Sequence, residues 1–301
     1  MNRRITTAVL QVVTGAISFG ILGTFVKLAQ RDGYDLPAVT FAQVAMGVLL
    51  LLIINLFIKK RNHPARAFTK GEKVKVILHG MCVGLISTFY FLSIRYGSAA
   101  TSIVLLAQSV WMGIVLECIL TRSFPSVQKI IMIAVILAGT LLATNVLITG
   151  SNISVAGIIS GLLAAIANTA SIYFSGFLVV NKSPERRTLY LGIGCLLMVS
   201  LIYGYSFIQH FDARILWKWG IVLGLTAMVI PPLLYIRGMP VLGVGLSSVI
   251  TCLQIPASAI FAWWILHEQV NGYQWWGIIL IVAGIAGMNI QRNRAKNTAN
   301  P

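Results

Sequence analysis

Acidic side chains are nearly missing from this sequence. Of 301 residues only seven are Asp or Glu, and charged residues of both signs make up 10%, against about 25% in an average soluble domain. Asp32, Asp35 and Asp212 all fall in polar breaks between apolar runs, which leaves no intramembrane aspartate pair for proteolysis and no acidic cluster suited to metal-assisted prenyl transfer. A serine-protease reading fails too: Gly245-Leu246-Ser247-Ser248-Val249 lacks the second glycine of a nucleophile elbow and a plausible base. No Gly-x-x-x-x-Gly-Lys-Ser/Thr segment is present to cradle nucleotide phosphates, which argues against an ATP-driven pump. The four cysteines, Cys82, Cys118, Cys195 and Cys252, sit in four different apolar runs and form no Cys/His cluster. They read as small buried hydrophobes, not as a disulfide framework or a zinc site. The expectation is a protein that is not an enzyme and uses no metal or other cofactor.

Polar stretches are also short. The longest, from Lys59 to Glu72, is a basic loop with Pro64 and Gly71, and the basic tail after Ile290 reads as disordered. No soluble domain fits in either. What fills the chain instead is apolar sequence: 57% hydrophobic residues, with a mean hydropathy of +0.87. A helix needs about 20 apolar residues to cross a bilayer. Ten runs meet that need, at 7–30, 36–58, 74–94, 98–121, 126–148, 154–179, 188–209, 216–236, 240–267 and 272–291. Barrel strands would alternate over about 10 residues, so the expected fold class is an all-α membrane protein with ten transmembrane helices.

The net charge of +16 is arranged by topology. With an even number of spans both termini share one side, and that side carries 18 of the 23 Lys and Arg, leaving Lys27, Arg31, Arg95, Arg214 and Lys218 on the other. The positive-inside rule then places both termini in the cytoplasm. Binding to nucleic acid would need a basic face beside groove-reading or aromatic elements, and none is present. Arg3-Arg4 precede an apolar run too long for a signal-peptide core, with no small-residue cleavage site after it, so the first run reads as an uncleaved anchor.

The sequence is also doubled. A shift of 146 positions lays Gly243, Ser248, Gln254, Ile265-Leu266 and Gln274 on Gly97, Ser102, Gln108, Ile119-Leu120 and Gln128. Duplicated sets of spans mark many secondary transporters. These segments resemble the two copies of the EamA repeat of the drug/metabolite transporter superfamily. The second copy is the clearer, with Ser247-Ser248, Pro256, Leu266-His267-Glu268, Gln274, Gly277 and Gly284. The resemblance implies two five-helix repeats, 1–150 and 151–301. Each has an odd number of spans, so the copies are inverted relative to one another. It further implies a carrier of the bacterial cytoplasmic (inner) membrane, exporting small metabolites such as amino acids by alternating access. Other substrate classes (nucleosides, sugars, drugs, anionic metabolites), a non-transporting sensor or scaffold, proton coupling, and a monomer or a homodimer all stay open. The first copy departs from the family pattern, with Arg122 where a glutamate is usual and Val110 opposite Pro256. A symmetric carboxylate pair is therefore not carried over.

Polar groups inside spans are costly unless they face a cavity or a partner helix. Gln108 and Gln254 are mid-span at matching places, and Trp111 shares a helix face with Gln108. The inverted arrangement brings such helices together around a central cavity, where these residues are the expected substrate contacts. Asn168 adds a mid-membrane amide, either a cavity group or an interhelical bond. Tyr90 and Tyr235 precede the short joints at 94–98 and 237–240 and are candidate gates or interfacial aromatics. Lys27 either snorkels to water or attracts a substrate anion. Glu117 lies opposite Gln108 on its helix, where it is expected to pair with a basic neighbour or to take part in proton coupling. Pro231-Pro232 and Pro256 are expected to kink their helices. Trp263, Trp264, Trp275 and Trp276 read as an interfacial belt.

Overall fold

A computed structural model describes residues 3–59, 68–97, 99–144, 146, 154–209 and 212–298. Among them the regular structure is entirely helical, as hydrocarbon demands of a chain whose backbone groups must satisfy one another within each segment. The helices are α1 (Arg3–Arg31), α2 (Leu36–Lys59), α3 (Lys70–Arg95), α4 in two pieces (Ala99–Ala107 and Ser109–Thr121) and α5 (Val127–Ala143). The second half repeats the set with α6 (Val155–Phe177), α7 (Pro184–Gln209), α8 (Leu216–Leu242), α9 in two pieces (Val244–Thr251 and Gln254–Leu266) and α10 (Gly272–Thr298). Eight are long and apolar enough to cross a membrane; α5 and the apolar part of α10, Gly272–Met288, are shorter.

Local chemistry sets the ends. Thr69 and Glu72 form a reciprocal capping box at the start of α3, while Ser126 and Ser154 cap α5 and α6 by accepting from the Lys129 and Gly157 amides. Arg122 and His267, both with left-handed φ (51° and 54°), close α4 and α9. The expected joint at 237–240 lies further on. α8 continues through Pro240 to Leu242, and Gly243, at φ 83°, makes the turn.

Prolines shape α8 and α9 differently. Pro231 and Pro232 cannot donate, and the turns before them, Leu216–Gly220 and Gly224–Val229, widen to π-type spacing. Pro256 stands in the first turn of the second piece of α9, where a missing N–H costs little, and the break falls just upstream at Cys252-Leu253. α4 breaks at the corresponding place with no proline at all, at Gln108.

The packing pattern is two-fold. α1 packs on α8 and its counterpart α6 packs on α3; α2 meets α8 as α7 meets α3; α1 meets α9 as α6 meets α4. α2–α7, α4–α9 and α5–α10 are each a helix against its own counterpart. This is the arrangement two inverted five-helix repeats produce. With lipid outside, cohesion comes from close van der Waals packing, for which small residues are needed. A Cβ on Gly80 of α3 would lie 1.9 Å from the Leu191 carbonyl oxygen of α7, and one on Gly194 of α7 would lie 1.9 Å from the Ile77 oxygen of α3. Gly47 and Gly224 make the matching close approach between α2 and α8.

Candidate functional site

The two broken helices, α4 and α9, pack against each other, and the break in α4 is built around Gln108. Its backbone N–H donates to the Leu105 carbonyl, 3.1 Å away, one residue short of the α-helical partner. The Val104 carbonyl left over accepts from Gln108 Nε2 at 3.0 Å, so the side-chain amide stands in for the missing backbone donor. Gln108 Oε1 in turn accepts from Trp111 Nε1 at 3.0 Å, realising the shared face expected from their spacing. Trp111 remains 39% exposed. The pair is a polar group and an aromatic plate held in fixed relation where a helix is interrupted.

Asn168 of α6 reaches the same break. Its Nδ2 donates to Ser109 Oγ at 3.0 Å, and Thr169 Oγ1 donates to the Ser109 carbonyl at 3.4 Å. Asn168 therefore ties α6 to the second piece of α4, beside Gln108. Gln254 opens the second piece of α9, and its carbonyl lies 2.8 Å from where a Cβ of Gly20 would stand, so α1 presses directly on this break.

The structure corrects the internal register by one residue. Ala99 and Val244 open the paired helices, Thr121 and Leu266 close them, and Arg122 and His267 cap them, each pair being 145 apart. At that shift Gln108 overlies Leu253 and Ser109 overlies Gln254. Both glutamines belong to the breaks, but they are about 100° apart in helical phase, so the two halves present different chemistry to the axis.

Tyr235 of α8 lies over Gly15 of α1, its Cε1 2.7 Å from the place a Cβ there would take, and its buried hydroxyl has no hydrogen-bond partner. Tyr90 of α3, 145 positions earlier, is half-buried with its ring tilted against Phe91 at 6.1 Å. Lys27 is removed from the breaks. Its Nζ sits 2.8 and 2.9 Å from the two carboxylate oxygens of Glu268, bridging α1 to the end of α9. Glu117 takes the expected basic neighbour, Lys129, at 3.5 Å. Its carboxylate also overlies Gly243 and Gly245, reaching 2.3 Å from a would-be Cβ on Gly245. A carboxylate there faces the positive end of α9, a placement the sequence did not disclose.

The two ends of the bundle differ. Near the start of α1 a pocket of about 900 Å³ opens between α1, α8 and the α6–α7 connection, with Arg3, Arg4, Gln11, Asn181, Arg187 and Arg237 on its walls. At the other end a pocket of about 240 Å³ lies beside Trp263 and Glu268, and three ion pairs form, the first two of them between different helices. Lys27 pairs with Glu268, Lys218 with Asp32 at 2.9 Å, and Arg214 with Asp212 at 3.1 Å. Asp32 also accepts from Trp219 Nε1, and Asp212 from the Tyr34 hydroxyl. Hydrogen bonds from Lys218 and Trp219 hold the Asp32 carboxyl below its ordinary range; the Arg214 backbone and side chain do the same for Asp212.

Sequence reasoning passed over Arg187, which counted only as one of many cytoplasmic charges. It is 2% exposed, with Nη2 donating to the Ser175 carbonyl at the end of α6. Position 187 lies in the first turn of α7, after Pro184, and nothing in the local pattern signals that the end of α6 covers it. His79 of α3 contacts Ser171 Oγ at 3.1 Å, one turn of α6 before Ser175. Among the described residues no group of three or more His, Cys, Asp or Glu is placed to hold a metal.

Comparison with known proteins agrees with this architecture. A solved structure described only as a crystal structure of a protein superposes with a TM-score of 0.75 at 17% identity, covering 96% of this chain and 99% of that one. At that identity the likeness speaks for the fold. No curated protein matches the sequence. The family model of EamA-like transporters matches twice, at residues 6–145 and 155–290, once on each five-helix half. The chain belongs to the EamA-like transporter family of multi-pass membrane transporters.

Proposed function

We propose that the protein is a secondary carrier that exports small amphiphilic metabolites such as amino acids across the bacterial cytoplasmic membrane, with both termini in the cytoplasm. The observation that carries this reading is the contrast between the two ends of the bundle. One end has a pocket of about 900 Å³ beside the start of α1. At the other end α1 is fastened to α9 and to α8 by the Lys27–Glu268 and Asp32–Lys218 pairs. Such asymmetry is what one state of an alternating-access carrier shows, and the pseudo-two-fold relation between repeats supplies a route to the opposite state.

Orientation rests on charge. Of the five cations at the far end, Lys27, Arg214 and Lys218 each meet an acid. With Asp35 also on that side, the five stand against four carboxylates, so that end is nearly neutral, while the terminal end keeps a large cationic excess. The breaks in α4 and α9 supply the substrate contacts: Gln108 and Trp111 as a hydrogen-bonding group and a stacking plate, Gln254 opposite them, and Asn168 beside them. Tyr90 and Tyr235 act as gates, Tyr235 at the α1–α8 contact it fills over Gly15.

Reconstitution tests the reading. Proteoliposomes loaded with radiolabelled amino acids and other metabolites are expected to release at least one of them in a protein-dependent, saturable manner. Comparing efflux with and without a pH gradient separates proton coupling from facilitated diffusion. The absence of protein-dependent flux across the whole panel refutes the carrier and favours a sensor or scaffold.

A further inference from the structure

The chain has seven side-chain carboxylates, and each has a task. Glu72, Glu117, Glu185, Asp32, Asp212 and Glu268 pair with Lys182, Lys129, Arg237, Lys218, Arg214 and Lys27. The seventh, Asp35, accepts the Ala38 N–H in the first turn of α2. None is left for Arg187, although the residue is 2% exposed and its buried Nε has no hydrogen-bond partner. A buried cation normally has an anion beside it, because removal from water is costly unless it is paired. The single bond to the Ser175 carbonyl does not supply one. Even Glu185, two residues away in sequence, is engaged by Arg237.

Arg187 stands on the wall of the pocket of about 900 Å³ at the terminal end. Three more arginines, Arg3, Arg4 and Arg237, line it, and no Asp or Glu does. The volume falls within the roughly 300–1,000 Å³ of ordinary small-molecule sites. Guanidinium groups bind carboxylate and phosphate oxygens through charge-assisted hydrogen bonds.

We propose that this pocket is an oxyanion site, in which Arg187 binds a carboxylate or phosphate group of a small anionic metabolite and Arg3 stands on its cationic rim. The biological role, capture of the substrate's acidic group on the cytoplasmic side, rests on the carrier reading; the site itself does not. A lipid headgroup carries the same chemistry, and the test separates the two sources.

The full-length protein is placed in nanodiscs of phosphatidylcholine alone, or of phosphatidylcholine with phosphatidylglycerol. It is then titrated calorimetrically with succinate, inorganic phosphate and uncharged succinamide at constant ionic strength. Saturable binding of succinate or phosphate, and none of succinamide, is expected in the neutral discs. Losing a charge-assisted bond raises Kd roughly 10- to 100-fold, so Arg187→Gln should do so, while Arg122→Gln, at an exposed helix end outside the pocket, leaves Kd unchanged. Soluble anions that bind neutral discs but are displaced by phosphatidylglycerol, in an Arg187-dependent way, assign the pocket to a headgroup. If Arg187→Gln does not give a monodisperse protein, Arg187→Lys carries the test. It keeps a charge but loses the planar fork, with about a tenfold weaker Kd expected. Absence of anion binding in both kinds of disc overturns the site, as does binding that is indifferent to residue 187. Flux without Arg187-dependent binding leaves the carrier standing and removes the site; binding without flux does the reverse.

Discussion

Lys27 of α1 and Glu268, two residues past the end of α9, meet at 2.8 Å on the far side of the bundle from the N-terminus. Their side chains are 52% and 37% exposed, so solvent weakens the pair to about 0–1 kcal/mol. On the carrier reading, that suits a latch that opens at each cycle. A pair of this strength biases an open–closed equilibrium by up to about fivefold. Lys27→Gln and Glu268→Gln are each expected to raise the labelling rate of a cysteine introduced beside the pair by that factor, with little change in thermal stability. The charge-exchanged double variant, Lys27→Glu with Glu268→Lys, should restore the slow rate. Failure of the exchange to restore it rules out pairing as the cause.

The Gln108 amide does two things at once, satisfying Val104 and holding Trp111. Gln108→Ala removes both contacts and leaves a carbonyl without its donor, costing about 1–3 kcal/mol. Trp111→Phe removes only the indole bond. If the break is the substrate site, Gln108→Ala and Gln254→Ala should each lower flux at least tenfold in protein that still elutes as wild type, and Trp111→Phe should raise KM more than it lowers the maximal rate. Wild-type flux in well-folded forms of both alanine variants would place the site elsewhere.

Ten helices, their doubling and the excess of cations on one side were legible because each depends on composition and spacing over 20 or more residues. The breaks were legible only in part. Pro256 announces an interruption in α9, yet α4 breaks without a proline because a glutamine side chain can replace a backbone donor, an event no pattern of residue types encodes. The one-residue slip in register escaped because Gly97 and Gly243 align at 146 while the helices themselves align at 145. Arg187 was invisible for another reason. Its burial is decided by the end of α6, and its lack of an acid is known only when all seven carboxylates have been placed.

The far-end pairs also bear on the response to pH. The Asp32 carboxyl is lowered chiefly by its bond from Lys218 and that of Asp212 by the Arg214 backbone N–H. For a carboxylate whose folded pKa is depressed, the stabilisation is present above the unfolded value of about 3.9 and is lost as pH falls through the lower, folded value. Both groups are therefore ionised throughout pH 5–8. Asp32→Asn and Asp212→Asn are expected to leave the midpoint of any flux–pH profile in that interval where it is in the wild type, changing amplitude alone. A midpoint displaced by either substitution would show that the far-end carboxylates take part in coupling.

Glycines that look alike in the sequence differ sharply in what they touch. Gly80 and Gly194 let α3 and α7 approach until a Cβ on either would stand 1.9 Å from a carbonyl oxygen of the other helix. That oxygen belongs to a rigid helical backbone and cannot swing aside, so the helices must separate. Separation loses packing along the whole contact, and packing is what holds helices together where lipid replaces water. Gly80→Ala and Gly194→Ala are each expected to cost at least the roughly 1–3 kcal/mol of an overpacked core. Gly23 of α1 has nothing within 4 Å of the same position, so Gly23→Ala adds a methyl in open space and gains helix propensity of up to about 1 kcal/mol. Thermal unfolding in detergent, followed by size-exclusion, should therefore rank Gly23→Ala at or above wild type and both α3–α7 variants well below it. Equal behaviour of the three would mean that the α3–α7 contact can loosen without penalty. The crossing would then be one of the surfaces that slides during transport and not a fixed hinge.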